Sequence, residues 1–374
     1  MRRFLAPTLS GALRATLRTT TTTTTTNATT VATSTTPIVS TATGTIRNQQ
    51  PTKLFHSCQA LRMKAAKVTA WGSAPVYGDY PDLPDPSPSQ VRVKVVAVAV
   101  PPVVRGRALG VHSTARGAPL PYDPTVDGVV QDEATGDLYY VSPMSAQLFA
   151  EHANVERHTL VRLAPGTDPV TVATLVNPVG SSWMALRARA LPGTVEGATV
   201  LVVGATSTSG RAAVSVARTL GAARIVGLSR NPETLAAVDG LDDRVPLQEP
   251  FSLPESIGPV DIILDFVGGK TAVGVLCAAQ PSPGKNLQYI HVGDLAGEET
   301  LPVPARLLNA RPVLITGSGM GAWGKNEIKR EIGGLLAAVS KMPRPEGVIT
   351  APLSDIGTVW DTEEAKKQRF VLLP

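Results

Sequence analysis

The sequence predicts an α/β protein: a doubly wound parallel sheet, joined to a β domain and preceded by a disordered leader. Three observations carry this. In the second half, short apolar runs are separated by helix-length segments, the pattern of a parallel sheet with helices on both faces. Between residues 63 and 165 the chain instead reads as short β segments and turns. The first 62 residues hold seven bases, no acid and a threonine tract, and are too polar to build a core.

The leader opens MRRFLAPTLSGALRATLR, with arginines spaced along a pattern compatible with an amphipathic helix. Arg-rich, hydroxyl-rich and free of acid before Asp79, it has the composition of an organellar transit peptide. The expectation is delivery to the mitochondrial matrix. A tail that targets nothing, or a cytoplasmic form starting at Met63, stays open. Setting the leader aside leaves 28 Lys and Arg against 30 Asp and Glu, so the body gives no electrostatic footprint for nucleic acid. Cys58 and Cys277 cannot make a disulfide framework or a structural zinc site. No apolar run approaches the roughly 20 residues of a membrane span, so a soluble protein is expected.

Strand patterning begins at MKAAKVTAW, and after the proline-rich loop YPDLPDPSPS comes VRVKVVAVAV. In DGVVQDEATGDLYYV, the ATGD between two apolar runs reads as a hairpin connection. Residues 169–191 have helical spacing, punctuated by Pro192-Gly193. Five strand candidates of the parallel sheet follow: TVLVV, RIVGLS, DIILDFVGG, LQYIHVGD and RPVLITGSG. The tail, GVITAPLSDIGTVW to RFVLLP, returns to strand patterning.

The stretch VLVVGATSTSGRAAVSVARTLGA places a glycine turn between a buried strand and an amphipathic helix. Gly204 permits the tight turn, and Gly210 lets the helix pack close. Thr206, Ser207, Thr208 and Ser209 are small hydroxyl residues at the helix N-terminus, where amides and dipole favour an anion. In this setting the turn points to a dinucleotide pyrophosphate. A packing turn with no ligand is the plainer alternative. An NAD site carries an acid at the end of the second strand, but here that end reads Ser229-Arg230. A guanidinium suits the 2′-phosphate of NADPH; a solvated surface arginine is the alternative.

These residues resemble the medium-chain dehydrogenase/reductases, specifically the zinc-free quinone oxidoreductase branch. The resemblance spans nearly all of 63–374 and rests on MKAA, VRVKVVAVAVPPVV, YDPTVDGVV, LVNPVGSSWMAL, IHVGDLAG, ITGSGMG and PLSDIGTVW…RFVLLP in that order. After the leader (1–62), read from composition, it implies the first part of a GroES-like catalytic domain (63–187), a Rossmann NADP-binding domain (188–318) and a return segment completing the catalytic domain (319–374). It also implies an active site in the cleft and a homodimer through the Rossmann sheet edge. Where zinc members of the family carry their ligands, this chain reads Pro101, Val126-Asp127 and Asn177, so a catalytic zinc is not expected. Asp127 reads as a turn residue.

The chain departs from the branch in holding Pro101, Pro102, Val103 and Val104 where an Asn-Pro-x-Asp stretch is usual, and His112 where a tyrosine is common. The resemblance implies NADPH-dependent hydride transfer to a quinone or an α,β-unsaturated carbonyl, a small-molecule substrate. A mitochondrial 2-enoyl thioester reductase and a non-catalytic NADPH-binding protein remain alternatives. His112 is the leading candidate proton donor, because its reference pKa lies near neutrality, and Tyr122 is the second. Backbone amides near Gly293 and in the loop from Gly317 and Ser318 to Gly321 are candidate oxyanion and cofactor contacts. Trp183 is expected as an apolar wall. His152, His158 and His291 show no metal spacing, Cys277 reads as a packed thiol and Lys270 as a surface lysine.

Overall fold

The computed structural model describes residues 62–248 and 250–374, so the expected leader lies, apart from Arg62, outside the described residues. Strand β1 (Arg62–Lys67) pairs antiparallel with β2 (Val76–Pro81). In β3 (Gln90–Ala99), Val93 and Val95 are buried and Lys94 between them is exposed. From Ala97 onward both faces are buried, as the shift from alternating to wholly apolar sequence dictates. Helix α1 (Pro102–Ala108) follows, with proline in its first turn. Next come β4 (Gly128–Gln131), the ATGD turn, β5 (Leu138–Val141), β6 (His152–Glu156) and β7 (Leu160–Arg162).

Asp168 caps α2 (Pro169–Met184) by accepting the Val170 and Thr171 amides, and the helix continues as a π-turn over Ala185–Arg189. The second sheet is built from β8 (Thr199–Val203), α3 (Thr208–Thr219), β9 (Arg224–Ser229), α4 (Pro232–Ala236), β10 (Asp243–Pro246), β11 (Ile262–Asp265), α5 (Gly269–Ala278), β12 (Leu287–His291), α6 (Ala305–Ala310) and β13 (Val313–Gly317). Its order is β10-β9-β8-β11-β12-β13, all parallel. Period-two side chains feed two cores: Val200 and Val202 pack with α2 and α3, Leu201 and Val203 with α5. Five of these strands are the five apolar runs of the sequence. The sixth, β10, reads Asp-Arg-Val-Pro and carries no apolar signal; it is an edge strand, where polar residues and proline are tolerated.

After α7 (Lys325–Val339) the chain returns through β14 (Ile349–Pro352), α8 (Ile356–Val359), α9 (Glu363–Lys367) and β15 (Phe370–Leu373). Strand β15 pairs with β3, so the C-terminus joins the seven-stranded sheet of the first half. This return brings Arg369 beside the β3–α1 turn, facing the carboxyl ends of the parallel strands. The strand order reverses between β8 and β11, and open α/β sheets bind ligands at such a switch point. No helix among the described residues is long and apolar enough to cross a membrane.

Candidate active site

A cleft of about 960 Å³ opens at that switch point, between the parallel sheet and the β3–α1 turn. Ser207, Thr208 and Ser209 line it. The Ser207 hydroxyl donates to the Gly204 carbonyl at 2.8 Å and accepts the Gly210 amide at 3.0 Å, capping α3. Among the described residues the Thr208 and Ser209 amides have no acceptor, so the helix start offers two free donors to the cleft. Gly204 sits at φ +88°, and a Cβ on Gly210 would collide with the Gly204 carbonyl oxygen. These residues fit a dinucleotide pyrophosphate. Thr206 and Ser229 stand apart from the cleft lining, their hydroxyls 2.9 Å from each other at the end of β9. Arg230, beside them, is exposed and makes no ion pair among the described residues.

His112 lines the opposite side of the cleft. Its Nδ1 lies 3.3 Å from the Thr114 amide and 2.8 Å from the Thr114 hydroxyl, which itself accepts from Arg107 at 2.6 Å. An atom facing two donors is an acceptor, so the ring proton sits on Nε2. Burial, then the Arg107 charge, holds its pKa below the ordinary imidazole value. His112 thus presents its Nε2–H as a hydrogen-bond donor, and its lowered pKa weighs against the charged form that a proton donor would use. Tyr122 does not line the cleft. Its ring lies 5.4 Å from Trp71 and 5.3 Å from the Arg107 guanidinium, and its buried hydroxyl has no partner among the described residues. Its hydroxyl is thus enclosed away from the cleft lining.

The positions that hold metal ligands in the resembled family carry no thiolate or imidazole here. Pro101 and Asn177 line the cleft, and Val126 is core. Asp127 is buried beside a cavity of about 30 Å³, where it accepts the Tyr140 hydroxyl at 2.8 Å. It is a buried, hydrogen-bonded acid and not the plain turn residue expected. Nearby, Pro178 inside α2 has no N–H to give the Thr174 carbonyl; Arg369, which lines the cleft, fills that gap at 2.9 Å. Trp183 is buried away from the cleft, donating to Glu331 at 3.3 Å. The indole that does line the cleft is Trp323, which donates to the Ser318 hydroxyl at 3.0 Å.

Two of the expected amide donors are committed elsewhere. The Gly293 amide bonds the Asp265 carbonyl, and the Ser318 amide bonds the His291 carbonyl. Gly293 and Ser318 line the cleft, whereas Gly317 ends the edge strand and accepts from Arg189 at 3.2 Å. The Gly319 and Met320 amides remain without acceptors among the described residues.

Sequence reasoning passed over His291. It ends β12, lines the cleft, and its Nδ1 lies 2.9 Å from the fully buried Asp265 at the end of β11. The available signal was the lone acid closing the apolar run IILD.

No family model matches this chain. It is 44% identical over 356 residues to a probable NADPH-dependent quinone reductase of Emericella nidulans, across 83% of this chain and 100% of that protein. Among solved structures, it resembles a mycobacterial quinone oxidoreductase at TM-score 0.69 and 20% identity, over 83% of this chain and 100% of that one. The quinone oxidoreductase of Thermus thermophilus, solved also with NADPH, gives TM-score 0.61 and 24% identity over the same shares. These two structures share its fold.

Proposed function

Because this chain belongs to the quinone oxidoreductase branch of the medium-chain dehydrogenase/reductase superfamily, we propose that its cleft takes NADPH and reduces a quinone or an α,β-unsaturated carbonyl without zinc. The observation that carries the cofactor is the capped start of α3, with two unpartnered amides above a turn that admits only glycine at position 210. Ser207, Thr208 and Ser209 hold the pyrophosphate, and Thr206, Ser229 and Arg230 meet the 2′-phosphate. When bound, NADPH supplies a hydride. The chain excludes water with Pro101, Pro102, Val103, Leu109 and Trp323 and orients the acceptor with the Gly319 and Met320 amides. A conjugated acceptor spreads the incoming charge onto oxygen, and Pro101, Val126 and Asn177 offer no thiolate or imidazole to a metal.

The test is NADPH and NADH oxidation with a quinone, an alkenal and a crotonyl thioester, with and without a chelator. Turnover of the quinone or alkenal with NADPH, insensitive to chelation, is expected. Preference for the thioester would make it an enoyl thioester reductase, and NADPH binding without turnover would make it a binding protein. The exposed β13 edge supports a homodimer, and the acid-free leader supports delivery to the mitochondrial matrix. A full-length fluorescent fusion confined to the cytosol would overturn that delivery.

A further inference from the structure

Two imidazoles line the one cleft, and they are wired oppositely. Nδ1 of His112 faces donors, so that ring has no acceptor for a second proton. Nδ1 of His291 faces a carboxylate. Asp265 is completely enclosed: its Oδ1 accepts the Val267 amide at 2.8 Å and the Gly268 amide at 2.9 Å, and its Oδ2 accepts from the Tyr289 hydroxyl and from His291. The pair bridges the ends of adjacent strands β11 and β12, so the sheet itself fixes the ring. With Nδ1 occupied, Nε2 is the nitrogen left free, on a side chain still partly open to the cleft.

We propose that His291, held by the Asp265 carboxylate that Tyr289 also bonds, delivers the proton that accompanies hydride transfer. This rests on the reductase reading above. Adding a hydride to a quinone leaves a hydroquinone monoanion, and one proton completes the hydroquinone. In that step the Nε2–H bond breaks, an O–H bond forms on the reduced acceptor, and water returns a proton to the imidazole. The Asp265 hydrogen bond, opposed by burial and helped by the charges of Asp265 and Asp294, holds His291 above the ordinary imidazole value. Asp265 from β11 and Asp294 from the following loop face it, Tyr289 from β12 bonds the same Asp265 oxygen, and Lys366, Lys367 and Arg369 line the same cleft.

Two measurements test the proposal. The first follows histidine ring nitrogens by NMR across pH in the protein without acceptor, the His291 signal being identified by its loss in His291→Gln. His291 is expected to titrate above His112. Tyr289→Phe removes a competing donor from Asp265 and should move His291 higher still. The second is kcat/KM against pH with NADPH and a 1,4-naphthoquinone. Wild-type activity should fall as pH rises through the His291 midpoint, and Tyr289→Phe should shift that fall upward. His291→Gln should lose it and turn over ~10²-fold more slowly, with NADPH affinity kept. A His291 that titrates below His112, or a Gln variant with wild-type rate and pH limb, overturns the assignment. Wild-type protein that binds NADPH but reduces none of the three acceptor classes overturns the reductase reading, and this step with it.

Discussion

Asp127 is an acid held where acids are costly. Burial raises its carboxyl to about 6, against the opposing effects of the Tyr140 hydroxyl and the Arg369 charge. A group raised on folding binds more protons in the folded state, so stability should fall as pH climbs from about 4 toward 6. Asp127→Asn keeps an acceptor for Tyr140 and removes the charge. Its denaturation free energy should be flatter across that window and higher near neutral pH by on the order of 1–3 kcal/mol; an unchanged slope rejects this. At the end of β9, Arg230 makes a second residue-scale prediction. A hydrogen bond to a charged group contributes about 1.5–3 kcal/mol, so NADPH should bind roughly tenfold to hundredfold more tightly than NADH. Arg230→Ala should shrink that ratio and leave NADH binding unchanged. Titration of both cofactors at low salt decides it, and a preference that survives the mutation rejects the contact. The positions of Gly204, Gly210 and Arg230 were legible because the strand–turn–helix pattern places them, whereas the burial of Asp127 was not, because its partner Tyr140 comes from the next strand. His291 was not, because its meaning lies in Asp265, 26 residues away across a strand pair. Trp183 misled for a similar reason: its partner Glu331 is 148 residues away.

The turn between β8 and α3 was the most legible element, since a buried strand, two glycines and an amphipathic helix are all local signals. Its geometry is also the least forgiving. At Gly210 an added Cβ would meet the Gly204 carbonyl and the Ala205 backbone, atoms that cannot move without displacing β8 or α3. Gly210→Ala should therefore cost about 1–3 kcal/mol or more, as overpacking does, and weaken NADPH binding by tilting the free amides. A variant with unchanged thermal midpoint and cofactor affinity would show that the helix start tolerates displacement. Other elements were hidden because they owe their state to neighbours. Strand β10 is a strand only because β9 offers it an edge, and α2 bends into the π-turn where Arg187 and Arg189 reach Glu331 and Glu327.

At the scale of the whole molecule, the parallel sheet is protected unevenly. One edge ends in the short, polar β10; the other ends in β13. In β8 and β11 nearly every residue is buried, but in β13 the successive residues Leu314 and Ile315 are both exposed. Successive strand residues point to opposite faces, so neither face of β13 is fully covered by the described residues. An apolar edge strand with unpaired backbone groups is a template for another strand, and Leu308 on α6 adds exposed apolar surface next to it in the chain. A second copy pairing β13 to β13 about a two-fold axis would join two sheets and cover these residues at once. Light scattering at micromolar concentration should then report twice the chain mass for the wild type, and the single-chain mass for Leu314→Lys. The cleft is formed within one chain, so the lysine variant should still bind NADPH. A monomeric wild type, or a lysine variant that stays dimeric, would place the contact elsewhere and leave Leu314 and Ile315 as exposed apolar residues of an unpaired edge.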